Sequence, residues 1–279
     1  MLIRYGYDMT FACGAPTPMI CQLDVHPTYV PAVRAETPFA ASPHVESWLY
    51  ADVFGNRCRR FNAPAGDLTI ANAGVVEVSS LPDPVVADAA EIPVADLPDD
   101  TLLYLVGSRY VETDKLSPIA WDLFGAAPPG WARVQAICDF VNRHIAFDYL
   151  SARATRTAHE AWAERVGVCR DFAHLAVAFC RCMNIPARYC NGYLGDIGVP
   201  PDPSPMDFNA WFEVFLGGKW HTFDARHNMP RIGRVLIARG RDAADIPLVN
   251  SFGPHVLKSF RVVTEETHTA ASPGAVFPS

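Results

Sequence analysis

Residues 81–101 do not resemble the sequence on either side of them. Pro82, Pro84, Pro93 and Pro98 interrupt the stretch, six acids fall within it, and no base does. Proline fixes φ and offers no N–H donor, so neither a long helix nor a central strand can run through such a segment. It reads as an ordered or semi-flexible linker, and a domain boundary is placed there.

The two flanks have different periods. Upstream, residues 1–12, 20–26, 46–54 and 68–79 are rich in Tyr, Val, Ile and Thr and are separated by Pro, Gly or Ser. That pattern predicts strands, with Gly55-Asn56 as a two-residue hairpin turn. An antiparallel β-sandwich over residues 1–80 is the expectation. Downstream, Val134, Ile137, Cys138 and Val141 recur at helical spacing within 131–144. Thr157-Ala158-His159-Glu160 has capping-box spacing and opens a short helix through Arg165. Gly167-Val168-Cys169 then begins an amphipathic helix whose apolar stripe is Phe172, Leu175, Ala176, Phe179 and Met183, stopped by Asn184 and Pro186. Past Pro186 the period moves towards two over 189–194, 208–216 and 219–224, with Gly217-Gly218 as a tight turn. Residues 102–268 form the second unit, and 269–279 read as a flexible tail.

Composition excludes several partner classes. The chain has 279 residues, half of them hydrophobic, a formal charge of −7 and no Lys/Arg run. Nucleic acid and anionic membranes require clustered positive charge, so neither is an expected partner. No stretch approaches the roughly 20 apolar residues of a membrane span. The first residues, with Asp8 and no long apolar core, do not read as a signal peptide. Eight scattered cysteines without repeated CxxC pairs read as reduced thiols of a soluble, cytoplasmic protein.

Cys169 is the candidate nucleophile. A cysteine in the first turn of a helix meets unpaired N–H groups and the positive end of the helix dipole, both of which favour thiolate. Arg170 adds positive charge. The plainer alternative is a buried structural thiol. The hairpin bears on the choice. With Gly217-Gly218 as its loop, Leu216 lies opposite Lys219, Glu213 opposite Thr222 and Trp211 opposite Asp224. Asn209 then faces Arg226 if the ladder runs that far. Asn209, Trp211, Glu213, Thr222, Asp224 and Arg226 share one face, which makes Asn209 and Asp224 diagonal neighbours. A helix-start cysteine beside a strand-borne polar pair is the layout of papain-like acyl-transfer sites.

Gly-Val-Cys-Arg-Asp-Phe-Ala-His (167–174), Ile-Pro-Ala-Arg-Tyr (185–189), Gly-Tyr-Leu (192–194), Ala-Trp-Phe-Glu-Val (210–214) and Trp-His-Thr-Phe-Asp-Ala-Arg (220–226) together resemble the bacterial transglutaminase-like family. The resemblance runs from about residue 130 to 245, and the β-rich start is similar to the N-terminal domain that often precedes that core. It implies an α+β, papain-like transglutaminase core preceded by an antiparallel β-sandwich. It also implies a Cys-His-Asp triad, with Cys169 in the nucleophile's place and Asp224 in that of the orienting acid. The family's usual His-Ala-Trp is here Asn209-Ala210-Trp211. Asn cannot accept a thiol proton, so the base is missing from its usual position.

Three histidines are candidate substitutes. His227 follows Asp224 by three residues, His221 points to the opposite hairpin face, and His174 lies about 140° round the helix from Cys169, packed beneath the site. No Cys/His group has structural-zinc spacing, and Asp196, Asp202 and Asp207 in the Pro-rich loop before Asn209 lack the EF-hand pattern, so no metal or cofactor is expected. That loop can border a substrate cleft. Trp211 is expected to pack over the cysteine helix, Glu213 to pair with Arg188 or Arg226, and residues 240–245 to form a charged turn. The leading expectation is thiol-dependent acyl transfer on a peptide or amide, as amidase, peptidase or transglutaminase. Its rivals are a non-catalytic peptide-binding member and a site in which Asn209 orients one of the three histidines.

Overall fold

Alternation builds the first unit. In β1 (Leu2–Cys13), Ile3, Tyr5, Tyr7, Met9, Phe11 and Cys13 are buried, while Arg4, Asp8 and Thr10 are less so. A strand turns successive side chains to opposite faces, so one face becomes core. The computed structural model describes residues 1–203 and 205–270; residues 271–279 of the expected tail lie outside them. β2 (Thr17–Cys21), β3 (Val33–Ser42), β4 (Ser47–Ala51), β5 (Arg57–Ala63) and β6 (Gly66–Glu77) complete the strands before the linker. The turn between β4 and β5 is longer than the Gly55-Asn56 pattern implies. Ala51 pairs with Arg57, and Asp52 holds the intervening loop by accepting from Phe54 N, Asn56 N and Asn56 Nδ2.

The linker is a strap laid on the second unit. Trp131 N donates to Ala89 O at 3.0 Å, Gly217 N to Ala90 O at 2.8 Å, and Glu91 pairs with Arg133 at 2.8 Å. Gly130 lets the strap pass at φ +84, where a Cβ would come 2.5 Å from Ala89 O. The strap ends in α1 (Asp99–Leu102). α2 (Thr113–Phe124), α3 (Trp131–His144), β7 (Ala146–Phe147), α4 (Ala158–Glu164) and β8 (Val166–Gly167) follow, leading into α5 (Cys169–Cys182). Every residue of α5 from Asp171 onward is buried. Its apolar side chains share one core with α2, α3, α4 and the inward residues Phe212, Val214 and Leu216. Behind it lies the antiparallel sheet of β9 (Ala187–Tyr193), β10 (Asn209–Leu216), β11 (Lys219–Phe223) and β12 (Val235–Gly240), in the order β11-β10-β9-β12.

The chain then returns to the first unit. β13 (Val249–Ser251) pairs with β2, and β14 (His255–Thr267) pairs along the whole of β1 from Leu2↔Thr267 to Cys13↔His255. This corrects the expectation that residues up to 268 belong to the core unit. A strand's residues declare its burial pattern but not which distant edge it joins. The result is two four-stranded antiparallel sheets, β14-β1-β6-β3 and β13-β2-β5-β4, beside the papain-like α+β core. Tyr189, Tyr193, Phe208, Ala210, Val235 and Ile237 pack into the same apolar cluster as Ile3, Tyr5, Met19 and Phe61. The seam between the units is therefore continuous core. No helix of the described residues is long and apolar enough to cross a membrane.

Candidate active site

The position of Cys169 is fixed by ionic contacts behind it. Val168 caps α5 in extended backbone but offers no side-chain acceptor. Asp171 substitutes, its Oδ2 accepting from Val168 N at 2.9 Å and from Arg156 Nη1 at 3.0 Å. Gly167 makes room for that carboxylate, which would lie 2.6 Å from a Cβ there. Cys169 is thus the first helical residue, half-buried on the wall of a cleft of about 570 Å³ at the seam. Met9, Phe11, Leu257 and Phe260 line the cleft from the β-rich unit, and Tyr110, Tyr189, Asp207 and Asn209 from the core. The Pro-rich loop reaches this cleft through Asp207.

The resting thiol differs from the sequence-based expectation. Burial pushes Cys169 up to about 11; Arg226 opposes this, Asp207 adds to it, and the Ala210 N–H directed at the sulfur opposes it. The helix dipole is outweighed by desolvation. At pH 7 such a thiol is ionised to only roughly one part in ten thousand.

Asp224 shows the opposite balance. Burial raises its pKa, but the Arg234 cation and His227 prevail and hold the carboxyl well below the usual range. Its Oδ2 accepts from His227 Nδ1 at 2.8 Å and from Arg234 Nη2 at 2.9 Å, and its Oδ1 from Arg226 N and His227 N, each at 3.0 Å. Arg234 Nε in turn donates to Asp83 of the strap at 2.9 Å. Sequence reading missed Arg234 and Asp83. An Arg and an Asp 151 residues apart carry no local signal.

The hairpin register is as expected at Leu216↔Lys219 and Glu213↔Thr222, but the ladder ends at Phe212↔Phe223. Asp224 therefore leaves the strand, and Asn209 is not its partner. Asn209 Oδ1 accepts from Arg226 Nη1 at 3.1 Å, and its Nδ2 donates to Leu194 O and Asp207 O. Among the described residues no histidine hydrogen-bonds Asn209, against the reading in which Asn209 orients one.

The chain matches the transglutaminase-like superfamily over residues 119–225. A solved structure from Cytophaga hutchinsonii, provisionally described as a cysteine protease, is 30% identical. It aligns with a TM-score of 0.85, covering 98% of this chain and 93% of that one. The chain belongs to the transglutaminase-like superfamily. An uncharacterised protein of Mycobacterium leprae is 27% identical over 255 residues, covering 82% of this chain and 84% of its own length. Another, from Mycobacterium tuberculosis, is 32% identical over 127 residues, 41% of this chain and 40% of that protein.

The superfamily match ends at Ala225, one residue short of Arg226 and two short of His227. His227 lines a small pocket of about 60 Å³ with Tyr149, Asp196 and Arg226, and Asp207 and Asn209 border both this pocket and the Cys169 cleft. His174 is buried between Tyr110 and Tyr189, its Nε2 accepting from Ala243 N at 3.1 Å. Burial holds its pKa well below the usual range, and it is a packing residue as expected. His221 Nε2 bonds Leu216 O at 3.1 Å. Glu213 pairs with Arg188 at 2.6 Å, and Arg241 with Asp245 at 2.9 Å in the charged turn. Trp211 does not cover α5. Phe212 and Val214 do, so alternation turns Trp211 towards Cys190, Leu236 and the Arg234 guanidinium at 4.9 Å.

Proposed function

We propose that this chain performs thiol-dependent acyl transfer on peptide or amide substrates, with Cys169 as nucleophile. The observation that carries the reading is Cys169 at the start of α5, on the wall of a large and mostly apolar cleft. The sulfur adds to the amide carbonyl, N–H groups of the α5 start hold the oxyanion, and the C–N bond breaks as the amine leaves with a proton. Water then cleaves the thioester, returning acid and thiol. Hydrolysis is preferred over transamidation because the Cytophaga relative is provisionally described as a protease. The thiol proton has to be removed first. His227 is the candidate base: its Nδ1 donates to Asp224, and its pocket shares Asp207 and Asn209 with the Cys169 cleft.

A second reading, a peptide-binding protein with a silent thiol, is favoured by one observation. Asn209 occupies the base position and is held by Arg226. p-Nitrophenyl acetate separates the two. An acyl-transfer protein acetylates at Cys169 and discharges in repeated turnover, which intact mass and nitrophenolate release both record. A single adduct that never discharges, or none at Cys169, supports the binding protein. Adding glycine methyl ester reports whether an amine competes with water.

A further inference from the structure

Arg226 is the unusual cation of the site. Arg231 and Arg234 near it each have a carboxylate partner, at 3.7 and 2.9 Å. Among the described residues Arg226 has no ion pair. One of its five guanidinium donors is used, on Asn209 Oδ1. Its plane is seated 3.9 Å from the Phe147 ring, and its backbone is fixed by Asp224 Oδ1 and by Asn142 Nδ2, which donates to Arg226 O. The head group is thus oriented but not neutralised. It is half-buried, on the pocket that shares Asn209 and Asp207 with the Cys169 cleft, and it is the foremost charge acting on the thiol.

We propose that Arg226 is an anion-binding residue of this site, which reads a carboxylate carried by the substrate close to the scissile carbonyl. A flat guanidinium with unused N–H donors suits a carboxylate bidentately. Asp207, the carboxylate nearest in the shared lining, uses Oδ1 on Phe208 N and forms no ion pair with Arg226. Its charge opposes a second anion in the pocket, so a bound carboxylate is held by the unused Arg226 donors against that repulsion. The preferred substrate is an amide or peptide bearing an acidic side chain or a terminal carboxylate beside the cleaved bond. This rests on Cys169 being the nucleophile.

The test uses the intact protein and small alkylating probes. In each, the sulfur displaces halide and the thiol proton passes to buffer. Iodoacetate and iodoacetamide rates at Cys169 are measured by peptide mass spectrometry at one pH, and their ratio is divided by that of free N-acetylcysteine. The expected corrected ratio favours iodoacetate by about tenfold, the worth of one charge-assisted hydrogen-bonded pair. Arg226→Gln brings it to one and Arg226→Lys keeps part of it, with circular dichroism checking the fold of each. Chloroacetylglycine carries only a terminal carboxylate and chloroacetyl-aspartic acid α-amide only a side-chain one, so their relative rates tell which source the site prefers. A wild-type ratio equal to that of the free thiol, with iodoacetamide reacting normally, overturns the anion site and leaves the nucleophile standing. Cys169 inert to both reagents overturns the nucleophile, and this inference with it.

Discussion

Cys169 and Asp224 sit at the two ends of one polar array, and desolvation acts on both. At the thiol it wins. Arg226 and one backbone N–H do not offset it, and the pKa rises to about 11. At the carboxylate it loses, because Arg234 stands within 2.9 Å and three N–H donors from Arg226 and His227 converge on the two oxygens. The lesson is about the number and distance of compensating partners, since burial alone predicts neutral forms at both places. The Asp224 carboxylate is paired with His227, whereas the Cys169 thiol stays protonated. Asn209 and Arg226 lie between them.

The strongest way to break this contrast is to give the nucleophile its own base. Asn209→His places an imidazole in the lining of the cleft that holds Cys169. If the missing base limits turnover, p-nitrophenyl acetate discharge rises about 10²- to 10⁴-fold. The companion variant His227→Ala decides where the proton goes in the natural chain. Loss of discharge assigns it to His227, and unchanged discharge removes His227 from the reaction.

The second test attacks the other side. Asp224→Ala leaves Arg234 buried with only Asp83 as partner, and losing one member of a buried pair costs about 3–5 kcal/mol. Chemical denaturation of the two proteins measures it. The sign of the pH dependence follows from the lowered carboxyl. Its stabilisation is complete above the ordinary carboxylate range, about pH 4, and is lost as pH falls towards the folded-state value. Wild type and variant therefore differ most at neutral pH and converge in acid. A difference that stays constant down to strong acid would mean the ion pair is not its source.

The same contrast explains what the sequence makes legible. The Cys169 helix is readable because a 3.6-residue stripe, a starting Gly-Val-Cys and a stopping Asn184 all act within one segment, and the helix ends at Cys182 just before them. The papain-like core follows from the same local signals. Position is legible at the site, but ionisation is not. Whether Cys169 is thiol or thiolate depends on Asp207, Ala210 and Arg226, which arrive from other elements. Asp224 likewise takes its charge balance from Arg234 and from Asp83, a strap residue. The pairing of β14 escapes local signals for the same reason, since its partner β1 begins more than 250 residues earlier.

The smallest effect tests the charge that keeps the thiol at rest. Asp207 raises the Cys169 pKa, so Asp207→Asn lowers it and increases alkylation by iodoacetamide at fixed pH below 11, by less than about tenfold. The comparison has an internal check. Burial raises the Asp207 carboxyl above its ordinary range, only partly offset by Phe208 N–H and Arg226. Below that raised value wild-type Asp207 is protonated and no longer repels the thiolate. The two rate profiles therefore coincide in acid and separate once the carboxyl ionises, with the variant faster. Parallel profiles at every pH would show that the substitution acts through cleft shape. Charge would then have no part in setting Cys169 apart from Asp224.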